Sequence, residues 1–313
     1  MMASAQLQRV LVRMLYDEHF AKWILEKKEH LQSLNLDLPI NAWEMLSEVP
    51  LAYYQADPYR SHRSLQALIR HFPFSFAIDM WLEKDPKHAL DFFRSQFFHE
   101  GIQQRLGLVS QYFAFLKDRF QNHENPHQHE NPHQYENPHN HQLKIMLDLL
   151  EFEWALYQQK QKKYQEIFSS HLDLDRHKPD EAKHLVLKLN PNLSLIEMPN
   201  RLYHQWVQFN QLLSSVESTT HFQLLFQNQI VITTLNLKEN DLEDIIYLCI
   251  DKDLNIEEMP SALFHLLKSC QKQQYYTAIF KTLMDQEMTT TEAFEFISDW
   301  LESHLLYLES DYY

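Results

Sequence analysis

Six histidines, His123, His127, His129, His133, His139 and His141, crowd residues 123–141 on a repeated HENPHQ unit. Imidazoles at this density could offer nitrogens to zinc, copper or nickel. A dedicated site also needs rigid geometry and outer hydrogen-bond partners, which a segment with proline at every sixth residue does not supply. The repeat is therefore expected to form an exposed loop, 122–141, between two helices, with weak metal buffering as the alternative. Nothing apolar in it is available for burial.

Other candidate chemistry is sparse. Glu151 and Glu153 flank Phe152 and could suggest an acid–base pair. On a helix, however, positions i and i+2 lie about 200° apart, so both cannot face one substrate. The expectation is one solvated residue and one satisfied interior acid. His62, His71, His204 and His221 read as satisfied polar residues, and there is no H-E-x-x-H. Cys249 and Cys270 make neither a disulfide framework nor a zinc set. Gly101 and Gly107 are the only glycines, which excludes a Walker loop, a dinucleotide fingerprint and a G-x-S-x-G elbow. Helix ends and turns are then expected to use Asn and Asp. No catalytic residue and no cofactor are assigned.

The elements behind these residues read as mainly α: a helical N-terminal domain plus a small α+β winged-helix-like C-terminal domain. The first domain is placed at 1–175. Leu7, Val10, Leu11, Met14 and Leu15 repeat at helical spacing, and Asp57-Pro58 and Asp85-Pro86 read as helix entries. Ile102, Leu106, Val109, Phe113, Leu116 and Phe120 form an apolar stripe, and a long helix resumes from about Gln142. The stretch 169–183 is poor in apolar residues and contains Pro179, which sets the boundary there.

The second domain is placed at 184–313. Strands are expected at 184–189 and 193–196 and a helix at 201–213. A hairpin is expected from 222–226 and 230–234. Helices follow at about 238–250, 256–271 and 275–286, with a last one capped by Thr289 and Glu292. The hairpin is the candidate interaction surface: Phe222, Leu224, Phe226, Ile230, Ile232 and Thr234 would meet an extended peptide by strand addition. The alternative is that both strands are ordinary core.

Charge bears on partners. The chain carries a formal −15, and residues 184–313 contribute 7 Lys+Arg against 18 Asp+Glu. Nucleic acid is an improbable partner for that half, since phosphates need a basic face. No apolar run approaches the roughly 18 residues of a bilayer span, and Met1–Gln8 lacks a signal-peptide pattern. A cytoplasmic, non-membrane protein is expected.

The order of segments resembles a bacterial two-domain family often labelled DNA-binding, which contains partner proteins of the multinuclear non-heme iron oxidative (MNIO) peptide-modifying enzymes. Tyr59-Arg60, Leu65, Leu68 and Phe72-Pro73 resemble its opening, Ala89 to Phe93 its next helix, and Tyr112 to Leu116 its "Y…FL" segment. Glu153-Trp154-Ala155 is similar to its "LEWA" helix, and 185–195 and 222–237 to its later segments. The likeness covers roughly residues 50–250; the family's glycine before "FL" is missing and the histidine repeat is extra. The resemblance implies a non-catalytic partner. Its C-terminal domain would recognise the leader of a ribosomally made precursor peptide and present it to the iron enzyme, which owns the iron ligands. A winged-helix transcriptional regulator is the second reading, and a His-rich metal-buffering protein the third.

Overall fold

The computed structural model describes residues 2–55, 57, 59–83, 86–122, 138–163, 185–215, 229–272 and 274–310. The chain is mainly helical and divides into two compact units. The first combines Met1–Trp154 with Gln205–Lys238, and the second Ala155–His204 with Glu239–Tyr313. No helix among the described residues is long and apolar enough to cross a membrane.

The first unit opens with α1 (Met2–Tyr16), α2 (Glu18–Glu26) and α3 (Lys28–Gln32), then the short α4 (Ala42–Ser47) and α5 (Leu51–Tyr54). Asp17 ends one helix and starts the next, its carboxylate accepting from the Phe20 N–H at 3.0 Å. Val10, Met14, Phe20, Ala21 and Ile24 close over Leu31, Ala42 and Leu46 as a small core. A larger aromatic core belongs to α6 (Arg60–Ile69), α7 (Pro73–Glu83), a 3₁₀ stretch at Pro86–Arg94, α8 (Gln96–Gln104), α9 (Leu108–Asn122) and α10 (Pro138–Gln161). Phe72, Phe74, Phe92, Phe93, Tyr112 and Phe120 are almost fully buried there. The expected stripe from Ile102 to Phe120 is interrupted. Arg105 takes φ 57 and ends α8, and Leu106 is exposed. The face that α9 buries is Tyr112, Phe115, Leu116 and Phe120.

Two further helices complete this unit: α11 (Asn200–Ser215), from Gln205 onward, and α12 (Gln229–Leu235). The sequence boundary at 169–183, with 184–313 as one domain, is thereby corrected. The cause is aromatic burial. Phe209 stacks on Phe74 at 4.3 Å between ring centres, and Trp206 meets Phe152 edge-on at 5.0 Å. α12 is itself a correction, because 230–234 was expected as a strand.

The second unit holds two three-stranded antiparallel sheets. In the first, β1 (Leu185–Leu189) lies between β5 (Gln274–Tyr275) and β6 (Leu306–Ser310). In the second, β3 (Ile245–Ile250) lies between β2 (Ser194–Pro199) and β4 (Ile256–Glu258). The helix expected over 238–250 is instead a 3₁₀ turn at Glu239–Leu242 followed by β3. Ile245-Ile-Tyr-Leu-Cys-Ile250 is β-branched and aromatic with no polar helical face, and it pairs on both sides. The helix expected over 256–271 is β4 and then α13 (Ser261–Ser269), entered through Pro260. After β5 come α14 (Tyr276–Met284) and α15 (Thr290–Glu302), whose Thr289–Glu292 capping box is present as expected. Phe264, Leu267, Tyr276, Ile279, Ile297 and Trp300 fill the core beside the sheets.

The scarcity of glycine has a structural cost. Asn35, Arg105, Leu254, Glu287 and His304 all adopt positive φ, so Asn fills only one of these turns. Each such non-glycine residue carries roughly 1–2 kcal/mol of steric strain.

Candidate functional site

The residues singled out for metal binding divide at the start of α10. His123, His127, His129 and His133 lie outside the described residues. His139 sits in the first turn of α10 with Pro138 at its start, where a missing N–H costs nothing. His141 is also helical, and its Nε2 donates to the Leu237 carbonyl at 2.6 Å. The end of the expected loop 122–141 is therefore helix, and His141 anchors α10 within its unit.

The residues singled out for peptide binding are separated as well. Phe222, Leu224 and Phe226 lie outside the described residues. Ile230, Ile232 and Thr234 lie on α12, where successive backbone groups serve the helix and are not offered as a strand edge. Thr234 is fully buried and its hydroxyl donates back to the Ile230 carbonyl at 2.7 Å. Strand addition at 230–234 is thus corrected.

Glu151 and Glu153 behave as their helical spacing requires. Glu151 is exposed and pairs with Lys117 at 2.8 Å. Glu153 is buried, 1% exposed, and caps α7 from the side. It accepts from the N–H groups of Phe74 and Ser75 at 3.0 and 3.1 Å and from the Ser75 hydroxyl at 2.7 Å. These are the unpaired donors of a helix N-terminus. Burial pushes its carboxyl up to about 7 against the pull of those hydrogen bonds.

A second buried acid, Asp79, lies one turn further along α7 and meets Arg119 Nε at 3.0 Å. The same guanidinium reaches Glu83 at 2.9 Å and the His88 carbonyl at 3.0 Å. Burial raises Asp79 to about 7, with Arg119 opposing. Both acids hold helices together, and both are only 1% exposed. Sequence spacing required one of Glu151 and Glu153 to be interior without saying which; nothing in the sequence marks Asp79 and Arg119 as a pair.

The second unit presents a different opportunity at β2. Its ladder phase is fixed where the Asn200 N–H donates to the Asp244 carbonyl at 2.8 Å. Alternation along an antiparallel pair then turns Ser194, Ile196 and Met198 toward β3 and turns the backbone groups of Leu195 and Glu197 outward. No hydrogen bond from another described residue reaches those outward groups. β2 is an edge strand of its sheet, with Pro199 at one end and Glu197 exposed and paired with Lys268 at 3.3 Å. Both features are typical guards of an open edge.

The other end of β2 opens on a polar pocket of about 230 Å³ lined by Gln159, Lys162, Asn192, Lys252 and Asp253. The Lys162 ammonium donates to the Leu193 carbonyl and the Ser194 hydroxyl, both at 2.9 Å. Burial holds it below the usual lysine range. Gln159 donates to the Asn192 carbonyl and to the Ile250 carbonyl and accepts from the Ser194 hydroxyl at 2.7 Å. Asp251 fixes the turn that carries Lys252 and Asp253 by accepting from the Asp253 and Asn255 N–H groups at 2.8 and 2.9 Å. An extended chain on β2 would find main-chain partners along the edge and the polar pocket at its end. Compared with protein-family models, with curated proteins and with solved structures, the chain matches none.

Proposed function

We propose that this chain is a non-catalytic partner protein that binds a ribosomally made precursor peptide and presents it to a non-heme iron oxidative enzyme. In this reading the leader of the peptide lies as an added strand on the outer edge of β2. The observation that carries the reading is the pair of outward-facing backbone groups at Leu195 and Glu197, two residues apart as strand addition requires. Lys162, Lys252 and Asp253 at the end of the strand offer charges of both signs to polar side chains of the peptide.

A winged-helix-like reading of the second unit belongs to the same proposal. The order α13, β5, α14, α15, β6 is helix, strand, helix, helix, strand, with β1 supplying the central strand of the sheet. A DNA-binding regulator would use α15 as its reading helix. Glu292, Glu295, Asp299 and Glu302 are exposed along one face of α15, a stripe that phosphates would repel. The protein-partner reading is therefore favoured over the regulator.

The test uses proline. The N–H of Glu197 points outward, so Glu197→Pro deletes an edge donor while leaving the β3 ladder intact. Ile196→Pro deletes a ladder bond instead and should unfold the sheet. Linear peptides selected on the wild-type chain from a displayed random library should lose at least about tenfold in affinity for Glu197→Pro at unchanged Tm. Equal affinity for both proteins would exclude the β2 edge. The chain should also co-elute with a multinuclear non-heme iron oxidase encoded in the same genome, and separate elution would exclude that partner.

A further inference from the structure

A cavity in the helical unit carries three buried polar atoms with no hydrogen-bond partner among the described residues. They are Gln6 Oε1, Arg13 Nε and His99 Nε2, and all three residues line the same space of about 60 Å³. Gln6, Arg9 and Arg13 come from one face of α1 at helical spacing, and His99 comes from α8. Leu34 and Leu36 close the apolar side, with Phe20. Asn35 between the two leucines takes φ 51, and this turn lets both side chains face the cavity.

A buried polar atom without a partner costs about 1–3 kcal/mol, and three around one space are hard to explain as packing. The charge is as unusual as the hydrogen bonding. In a chain of net −15, Arg9 and Arg13 face the cavity, and no carboxylate among the described residues stands within ion-pair distance of either. The Arg13 guanidinium lies over the Phe20 ring, 3.7 Å from its centre, and this contact orients Nε. Asp17, whose charge acts on both Arg13 and His99, places one carboxylate oxygen on the Phe20 N–H and stands outside ion-pair distance of Arg13. Burial and the nearby Arg13 pull His99 down to about 4, so its ring is neutral and Nε2 serves as a donor in the tautomer that carries the proton there.

We infer that this cavity is a binding site for a short aliphatic carboxylate, with Arg13 Nε and His99 Nε2 on the carboxylate oxygens and Leu34 and Leu36 on the alkyl chain. Arg13 Nε and His99 Nε2 donate to a planar anion, Gln6 joins them with its amide plane flipped so that the N–H₂ replaces Oε1, and the leucine side excludes a fully hydrated anion such as sulfate. The carboxylate could be a free acid or the tip of a glutamate side chain on a peptide. Both present the same group to the same atoms. This site does not depend on the β2 reading, and its test does not involve that edge.

Butyrate is the probe, followed through the His99 ring resonances and through Tm. Butyrate should shift the His99 signals saturably with a Kd of about 1 mM and raise Tm. N-acetyl-glutamate amide serves as the second arm. Binding by either supports the site, and the tighter of the two identifies the source of the carboxylate. Arg13→Gln should weaken binding by about tenfold or more with an unchanged far-ultraviolet circular dichroism spectrum. Leu36→Trp, which fills the apolar side, should block butyrate while keeping Arg13 in place. No saturable response to either carboxylate would overturn the inference. An equal response to 1-butanol or to sulfate, or full binding by Arg13→Gln, would overturn it as well.

Discussion

Replacing Glu153 by glutamine tests how α7 is anchored. The carboxyl is fully buried, and burial lifts it from an ordinary 4.5 to about 7 in the folded protein. Such a group is protonated in both states below pH 4.5, so it imposes no penalty there. Between 4.5 and 7 the unfolded chain ionises while the folded one holds its proton, and stability falls as pH rises. Above 7 the loss is complete, at about 3 kcal/mol for a displacement of this size. The glutamine amide keeps one of the two oxygen acceptors, sets an N–H₂ against the remaining donor at a cost that does not depend on pH, and cannot titrate. Urea unfolding of both proteins at pH 5 and pH 8 gives a double difference from which Asp79 and the other acids cancel. The wild type should lose about 2.5 kcal/mol relative to Glu153→Gln between those pH values, since a little of the loss has already occurred at pH 5. An advantage of the wild type that grows toward pH 8 would refute the reasoning. It would mean that three donors and the α7 N-terminus outweigh burial and hold the carboxylate ionised.

Other outcomes follow from the same packing. Arg119→Met leaves Asp79 buried without its cation and should cost about 3–5 kcal/mol at pH 8, and less at pH 5 where Asp79 takes a proton. Unfolding at the two pH values checks it. Phe209→Ala removes a fully buried ring stacked on Phe74 and should cost about 3–5 kcal/mol, with a coupling of about 1 kcal/mol to Phe74→Ala in a double-mutant cycle. Additive effects would argue against 205–238 packing on the helical unit. Cys249 and Cys270 are buried, and burial raises both thiols to about 11, so the native protein at pH 8 should resist alkylation until unfolded. Rapid labelling by iodoacetamide, read by mass spectrometry, would contradict this.

Much of the helical part could be read from residue spacing. Long periodic stretches such as Leu7 to Leu15 and Gln142 to Trp154 become α1 and α10, because many turns of one period leave little ambiguity. Short apolar runs misled. Ile230 to Thr234 is too short to separate a period of two from one of 3.6. Burial of Val231, Thr234 and Leu235 at helical spacing decides for α12. The converse holds for Ile245 to Ile250, where partners on both sides make a strand of a run read as helix. The β2 edge was half visible: the strand was expected from its composition. Which of its backbone groups face outward depends on the pairing partner at 245–250, about 50 residues away in the chain. The Gln6, Arg13 and His99 cavity and the Asp79–Arg119 pair were not visible at all, since each joins helices through contacts that no local pattern encodes.

Amide hydrogen exchange at β2 tests the central claim most directly. With no peptide present, the N–H groups of Leu195 and Glu197 should exchange much faster than those of Ile196 and Met198, which face β3. On addition of a library-selected peptide, Leu195 and Glu197 should become protected while Ile196 and Met198 change little. Slow exchange at Leu195 and Glu197 in the free protein, or peptide protection that falls elsewhere and leaves them untouched, would contradict strand addition at this edge.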